Sequence, residues 1–338
     1  MVTAVILLIV GFVLLIKGGD WFVDGASGIA RRFKLPEILI GATIVSIGTT
    51  LPEVMVSSGA AIQGSGSIAY GNAIGSIICN SALIAAITIT IKPNTAPRKS
   101  MALPVLFFFI SAAVYCIVAY FIGYFSVIVG IILLAIFVTY MTITILRMKK
   151  DSKLSDPVTE LELEAATGED YVVETVEAGN KDTLLKDIIL LVIGAALIAI
   201  GADLLVDNAI IIAEKLGVSQ KVIGLTIVAL GTSLPEFVTA ITALIKGHGS
   251  LSLGNIIGAN MFNLVLVSGA AITISPFELP VSSTISGINS SLIIDLPVML
   301  VAMGILTIPT LIKQKLSRWQ GIVLLALFTS FTIVQFVI

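Results

Sequence analysis

Residues 18–80 of this chain are written a second time at 201–263. With a constant offset of 183 and no gaps, from Gly18 against Gly201 to Asn80 against Asn263, 27 of the 63 positions are identical. Agreement of that degree is an internal duplication, and a duplicated chain folds as two related halves. Two stretches in it match closely: "IVSIGTTLPEVM", Ile44 to Met55, and "IVALGTSLPEFV", Ile227 to Val238. Each sets a proline and a glutamate inside an apolar run, so one explanation has to serve both.

The runs are membrane runs. Of the 338 residues, 57% are hydrophobic and only 12% charged, against roughly 25% charged in soluble domains. A bilayer core of about 30 Å needs roughly 20 apolar residues per helix. By that measure the chain holds ten spans, at 2–31, 37–62, 68–91, 101–122, 125–147, 184–214, 220–245, 251–274, 288–312 and 319–338. The first lacks a preceding basic stretch and is expected to stay as a helix rather than to be cleaved as a signal peptide. Between the fifth and sixth spans lies the one long polar segment, 148–183, with ten of the 21 acidic residues between Asp151 and Asp182. It reads as a flexible tether. The expected division is therefore 1–147, a five-helix repeat; 148–183, an acidic linker; and 184–338, a second five-helix repeat.

Equivalent helices are five spans apart, and five is odd, so the second repeat crosses the membrane in the opposite sense to the first. Inverted repeats are characteristic of secondary transporters, whose sites lie near the midplane on interrupted helices. The predicted fold is an all-α integral membrane protein of ten helices in two inverted five-helix repeats, with helices 2, 3, 7 and 8 interrupted. Sixteen of the 19 Lys and Arg residues fall in connections 1–2, 3–4, 5–6, 7–8 and 9–10. Positive loops face the cytoplasm, so the linker is expected inside and both termini outside, in the plasma membrane.

The prolines explain the interruption. Pro52 cannot donate to the Gly48 carbonyl, nor Pro235 to that of Gly231, and carbonyls freed in hydrocarbon need partners. A cation is one. Glu53 and Glu236 follow immediately; burying them charged is costly unless compensated, which marks an ionisable residue within a span as a functional-site candidate. The plain alternative, a kinked helix whose glutamate is protonated or faces water, would have to occur at equivalent places in both halves. Thr49, Thr50, Thr232 and Ser233 add neutral oxygens. A second motif, "GNAIGSIICN" (Gly71 to Asn80) and "GNIIGANMFN" (Gly254 to Asn263), opens spans 3 and 8. Its glycines at 71, 75, 254 and 258 suit close helix approach. Asn80 and Asn263 are either cation ligands or interhelical hydrogen bonders. Two carboxylates with several neutral oxygens suit calcium better than the tight octahedron of magnesium. Smaller sets of the same oxygens, with Ser76, suit sodium, and competition for shared carboxylates is a physical basis for exchange.

At these residues the sequence resembles the calcium/cation antiporter superfamily, and within it the prokaryotic sodium/calcium exchangers. The resemblance covers nearly the whole chain and rests on "GTTLPE", "GTSLPE" and the two "GN..G....N" motifs. It implies that Glu53 and Glu236 bind calcium and sodium with Thr49, Thr50, Ser76 and Asn80 from the first half and Thr232, Ser233 and Asn263 from the second. The backbone carbonyls of Ser46 and Ala229 join them, and long helices 1 and 6 slide during alternating access. Asn263 replaces an aspartate found in several relatives, including potassium-dependent ones, so transport is expected to be potassium-independent; it is also expected to be electrogenic. Ala259 stands where the first half has Ser76, which removes a hydroxyl from one sodium site.

Other classes fit less well. A proton/calcium antiporter of the same superfamily would use the same carboxylates, and a cation channel would conduct without a counter-ion. No P-loop is present, and one histidine, His248, leaves no material for a catalytic triad, so no enzyme and no cofactor are expected. A net charge of −2 implies no nucleic-acid partner, and no obligatory protein partner is evident beyond membrane lipid. Cys79 and Cys116 read as small buried apolar residues. Asp20 and Asp24, repeated as Asp203 and Asp207, read as a solvated helix face or a Lys17–Asp20 pair rather than as a cation entrance. Asp295 is expected at the interface.

Overall fold

The computed structural model describes residues 1–154, 181–216, 229–281 and 283–337. Backbone groups in hydrocarbon have to bond within their own segment, and the apolar runs are accordingly helical: α1 (Val2–Arg32), α2 (Glu37–Ile62), α3 (Gly66–Ile91), α4 (Arg98–Ile122) and α5 (Val127–Leu154). The second half repeats them as α6 (Lys181–Lys215), α7 in two pieces (Ala229–Gly231 and Leu234–Ile245), α8 (Gly249–Ile274), α9 (Ser291–Lys313) and α10 (Arg318–Val337). Eight of the described helices are long and apolar enough to cross a membrane. The expected seventh span begins at 220, and its first part, 220–228, lies outside the described residues, as does linker segment 155–180.

The helix interruptions take three forms. In α3 the ladder widens to a π-turn at Asn80–Ile84, and in α8 at Asn263–Val267, which are equivalent positions of the two repeats. In α2 the π-turn is Gly41–Val45, and the helix then runs on through Pro52. The break therefore precedes the proline rather than coinciding with it. In α7 the chain turns at Thr232–Ser233, and Pro235 sits in the first turn of the following helix, where a missing N–H costs nothing.

Helices α1 and α6 lie against each other along small residues. A Cβ on Gly11 would stand 2.8 Å from the Gly201 carbonyl oxygen, and one on Gly18 would stand 2.9 Å from that of Gly194. Residue numbers rise on one helix as they fall on the other, so the pair is antiparallel. Gly194 and Gly201 are Gly11 and Gly18 advanced by the repeat offset. The crossing thus maps onto itself when the halves are exchanged, as inverted repeats require. These two helices are lightly covered, with 28% and 22% of their most apolar stretch buried, as is α5 at 28%, whereas α8 is 83% buried and forms the centre.

Connections at the two ends pair with each other. Tyr124–Phe125 (β1) and Phe277–Glu278 (β2) form an antiparallel pair joining the α4–α5 and α8–α9 connections. Thr284–Ile285 (β3) and Ile288–Asn289 (β4) form a small hairpin beside them. At the opposite end of α4 and α9, Thr95 and Lys315 bridge the α3–α4 and α9–α10 connections. Alternate connections thus lie at alternate ends, as up-and-down crossings demand.

Candidate functional site

The two glutamates come from different halves and meet in the interior. Glu53 on α2 and Glu236 on α7 are both fully buried. Their carboxylates lie close enough to interact, and Thr49 stands beside Glu236. The surrounding turns interlock across the repeats: the π-turn of α8 packs on the Ser46–Ile62 segment that carries Glu53, and the π-turn of α3 packs on the Leu234–Ile245 segment that carries Glu236. Asn80 and Asn263 open those two π-turns.

A buried polar group without a partner costs about 1–3 kcal/mol, and a charged one more, yet here such groups are concentrated. Among the described residues, both oxygens of Glu53 and of Glu236 lack a hydrogen-bond partner. So do the hydroxyls of Thr50, Ser76 and Ser233 and both amide atoms of Asn80 and Asn263, all of them buried residues. Oxygen ligands held in this way fit a hard cation, which would satisfy several at once. Among the described residues no three His, Cys, Asp or Glu side chains form a metal cluster, so the charge comes from the two carboxylates and the rest of the donors are neutral.

The remaining expected residues divide. Ser46 is buried, and its one hydroxyl hydrogen is shared between the Gly41 carbonyl, at 2.7 Å, and the Asn255 carbonyl, at 3.0 Å. That leaves its own carbonyl, rather than its hydroxyl, for other work. Thr232 is half-buried at the break in α7, where Ala229 opens the short helix before it. Cys79 is buried beside Ser233 as a free thiol, and Cys116 is half-buried.

Two residues not singled out from sequence belong to the site. Asn72 donates to the Glu53 carbonyl at 3.2 Å and to Ser57 Oγ at 2.8 Å, while Asn255 accepts from Thr49 Oγ1 at 3.2 Å. They are the same position of the duplicated motif, the asparagine after its first glycine, and that recurrence was the available signal. The motif's glycines also divide. A Cβ on Gly254 or Gly258 would collide with Ile38 or Ser46 and Ala42 on α2, but Gly71 and Gly75 meet nothing within 4 Å among the described residues. Residues 221 and 225, the counterparts of Ile38 and Ala42, lie outside those described.

A narrow crevice leads to this region. Phe22, Ala195, Ile198 and Ala199 of α1 and α6 form one wall, and Gly48, Thr49, Pro52 and Pro235 form the other. At the helix ends, Lys246 bonds the Asp20 carbonyl at 2.9 Å and the Asp24 carboxylate at 2.8 Å, with the Asp20 carboxylate at 3.5 Å. Asp20 and Asp24 do form a partly solvated face, but their partner is Lys246 of the α7–α8 connection rather than Lys17. His248 Nδ1 lies 2.6 Å from Glu37 Oε1. Asp295, in the first turn of α9, accepts from Gln335 at 2.8 Å.

Comparison with known proteins follows the same lines. A family model described as sodium/calcium exchanger protein matches residues 3–146 and 186–337. An uncharacterised membrane protein of Methanocaldococcus jannaschii is 34% identical over 328 residues, 95% of this chain and 94% of the relative. The sodium/calcium exchanger MaX1 of Methanosarcina acetivorans is 32% identical over 356 residues, 98% of each. A solved structure of the sodium-calcium exchanger NCX_Mj, soaked with sodium and strontium, superposes with a TM-score of 0.77 at 31% identity over 97% of both chains.

Proposed function

The chain belongs to the sodium/calcium exchanger protein family, and on that premise we propose that it exchanges sodium for calcium across the plasma membrane as a secondary antiporter. Membership makes it a transporter and not an enzyme. One observation carries the ion assignment: two buried carboxylates, one from each inverted half, face each other among hydroxyl and amide groups that no atom of the described residues satisfies. Two unit negative charges at short range repel strongly in a low-dielectric interior. A divalent cation relieves that repulsion, and sodium ions at the same oxygens relieve it in the alternative state. Neither cargo need bind while the other is present, which is the condition for exchange rather than leak.

The ligands in this reading are Glu53, Glu236, Thr49, Thr50, Thr232, Ser233, Ser76, Asn80 and Asn263, with the carbonyls of Ser46 and Ala229. The repeats are 1–147 and 184–338, joined by linker 148–183 in the cytoplasm, and both termini are outside. Alternating access comes from movement of α1 and α6 over the rest. Their light burial, their glycine-lined crossing and the crevice against Thr49 and the two prolines support this. With −2 rather than −3 charge at the site, potassium is not a required cargo, and the exchange is read as electrogenic.

The test is uptake of radiolabelled calcium into proteoliposomes loaded with sodium and diluted into sodium-free buffer. Uptake that needs internal sodium supports the assignment. Uptake driven instead by a pH gradient without sodium moves it to proton/calcium exchange, and flux without any counter-ion moves it to a channel.

A further inference from the structure

Thr49 is offered above as a cation ligand, and a hydroxyl can serve as one only if its proton points elsewhere. A hydroxyl has one hydrogen and two acceptor lone pairs. Thr49 stands beside the Glu236 carboxylate, and a free hydroxyl there would turn its hydrogen to that anion. It would then occupy a carboxylate lone pair and aim positive charge at the cation position. The nearest other acceptors are Asn255 Oδ1, at 3.2 Å, and the Ser46 carbonyl, at 3.5 Å. Asn255 is fully buried in α8, held against α2 where Gly254 and Gly258 let the backbones close up.

We propose that Asn255 is a positioning residue: its amide oxygen accepts the hydrogen bond donated by the Thr49 hydroxyl and so fixes that hydroxyl as an acceptor toward the ion. The proposal rests on the exchange reading given above. Its counterpart, Asn72, does different work. Its amide donates to the Glu53 carbonyl and to Ser57 on α2, and among the described residues no hydrogen bond joins Asn72 to Thr232. Both asparagines therefore act on α2, one on the Thr49 hydroxyl and the other on the backbone at Glu53. The duplicated motif presets the ligands of the first repeat, and among the described residues Asn72 gives Thr232 no equivalent support.

The test is a double-mutant cycle read by equilibrium binding of radiolabelled calcium to purified protein, with sodium competition as a second readout. Asn255→Ala weakens calcium binding by about fivefold to tenfold, the worth of one ordinary hydrogen bond, and Thr49→Val weakens it at least as much. The double variant binds no more weakly than Thr49→Val alone, because Asn255 acts only through that hydroxyl. A purely structural asparagine would instead lower the melting temperature and multiply its loss onto that of Thr49→Val; that result overturns the proposal, as does unchanged affinity in Asn255→Ala. Asn255→Val removes the same acceptor while filling space, and it replaces Asn255→Ala in the cycle if the alanine variant does not fold. Native protein that binds no calcium overturns the exchange reading and this proposal with it. Native binding with multiplied losses overturns the proposal alone.

Discussion

Glu53 and Glu236 are the residues on which the reading turns, and each is testable alone. Glu53→Gln keeps size and hydrogen-bonding atoms but removes one of the two charges. Sodium-dependent calcium uptake is expected to fall to background while the protein still elutes as a folded species; uptake at the native rate would remove the carboxylate from the mechanism. Glu236→Gln should behave alike, since the two oxygens pairs are buried and unpartnered to the same degree. A structural bond nearby gives a contrast. Tyr140 OH on α5 donates at 2.9 Å to the Ala42 carbonyl inside the α2 π-turn, and both groups are buried. Tyr140→Phe removes that bond, so thermal unfolding in detergent should show a loss of about 0.5–1.5 kcal/mol without a change in ion selectivity. Most ligand candidates were legible at this scale, because a carboxylate inside an apolar run has few explanations. Asn72 and Asn255 were not, because an asparagine's identity does not say which neighbour its amide meets.

At the scale of elements, the crossing of α1 and α6 is the tightest constraint outside the site. Gly201→Ala would put a methyl group 2.8 Å from both the Gly11 carbonyl oxygen and the Leu15 nitrogen. Neither helix can yield by rotating a side chain, so the pair must separate. Overpacking of this kind costs about 1–3 kcal/mol. If α1 and α6 move as a pair, the turnover rate should fall further than calcium affinity, which stopped-flow uptake and equilibrium binding would separate. Gly59, inside α2 with nothing within 4 Å, is the control: Gly59→Ala should leave both unchanged and raise stability by about 0.5–1 kcal/mol. Helix positions were legible to within a few residues, since hydrophobic length dictates them. The π-turns were not. Asn80–Ile84 and Asn263–Val267 contain no residue that forces a widened turn, so the sequence paired Asn80 with Asn263 without showing the π geometry that begins at each.

For the whole molecule, the charge of the site decides the cargo. With Asn263 neutral, replacing external potassium by choline should leave sodium-driven calcium uptake unchanged; uptake that falls with potassium would show that another group supplies the missing charge. What the sequence by itself determined was the set of local and repeated properties. Hydropathy placed the spans, the 183-residue offset with five spans between copies made the halves inverted, and the recurrence of "LPE" singled out the buried carboxylates. Each of these follows from what one residue, or one run, costs in hydrocarbon. Only the tertiary structure decided which members of each equivalent pair do the same work. Asn255 holds a hydroxyl while Asn72 holds a backbone carbonyl, and Lys246 ties Asp20 and Asp24 where its counterpart, Gln63, carries no charge to do so for Asp203 and Asp207. Such differences depend on the neighbour across the interface. Two related segments packed in one asymmetric conformation have different neighbours.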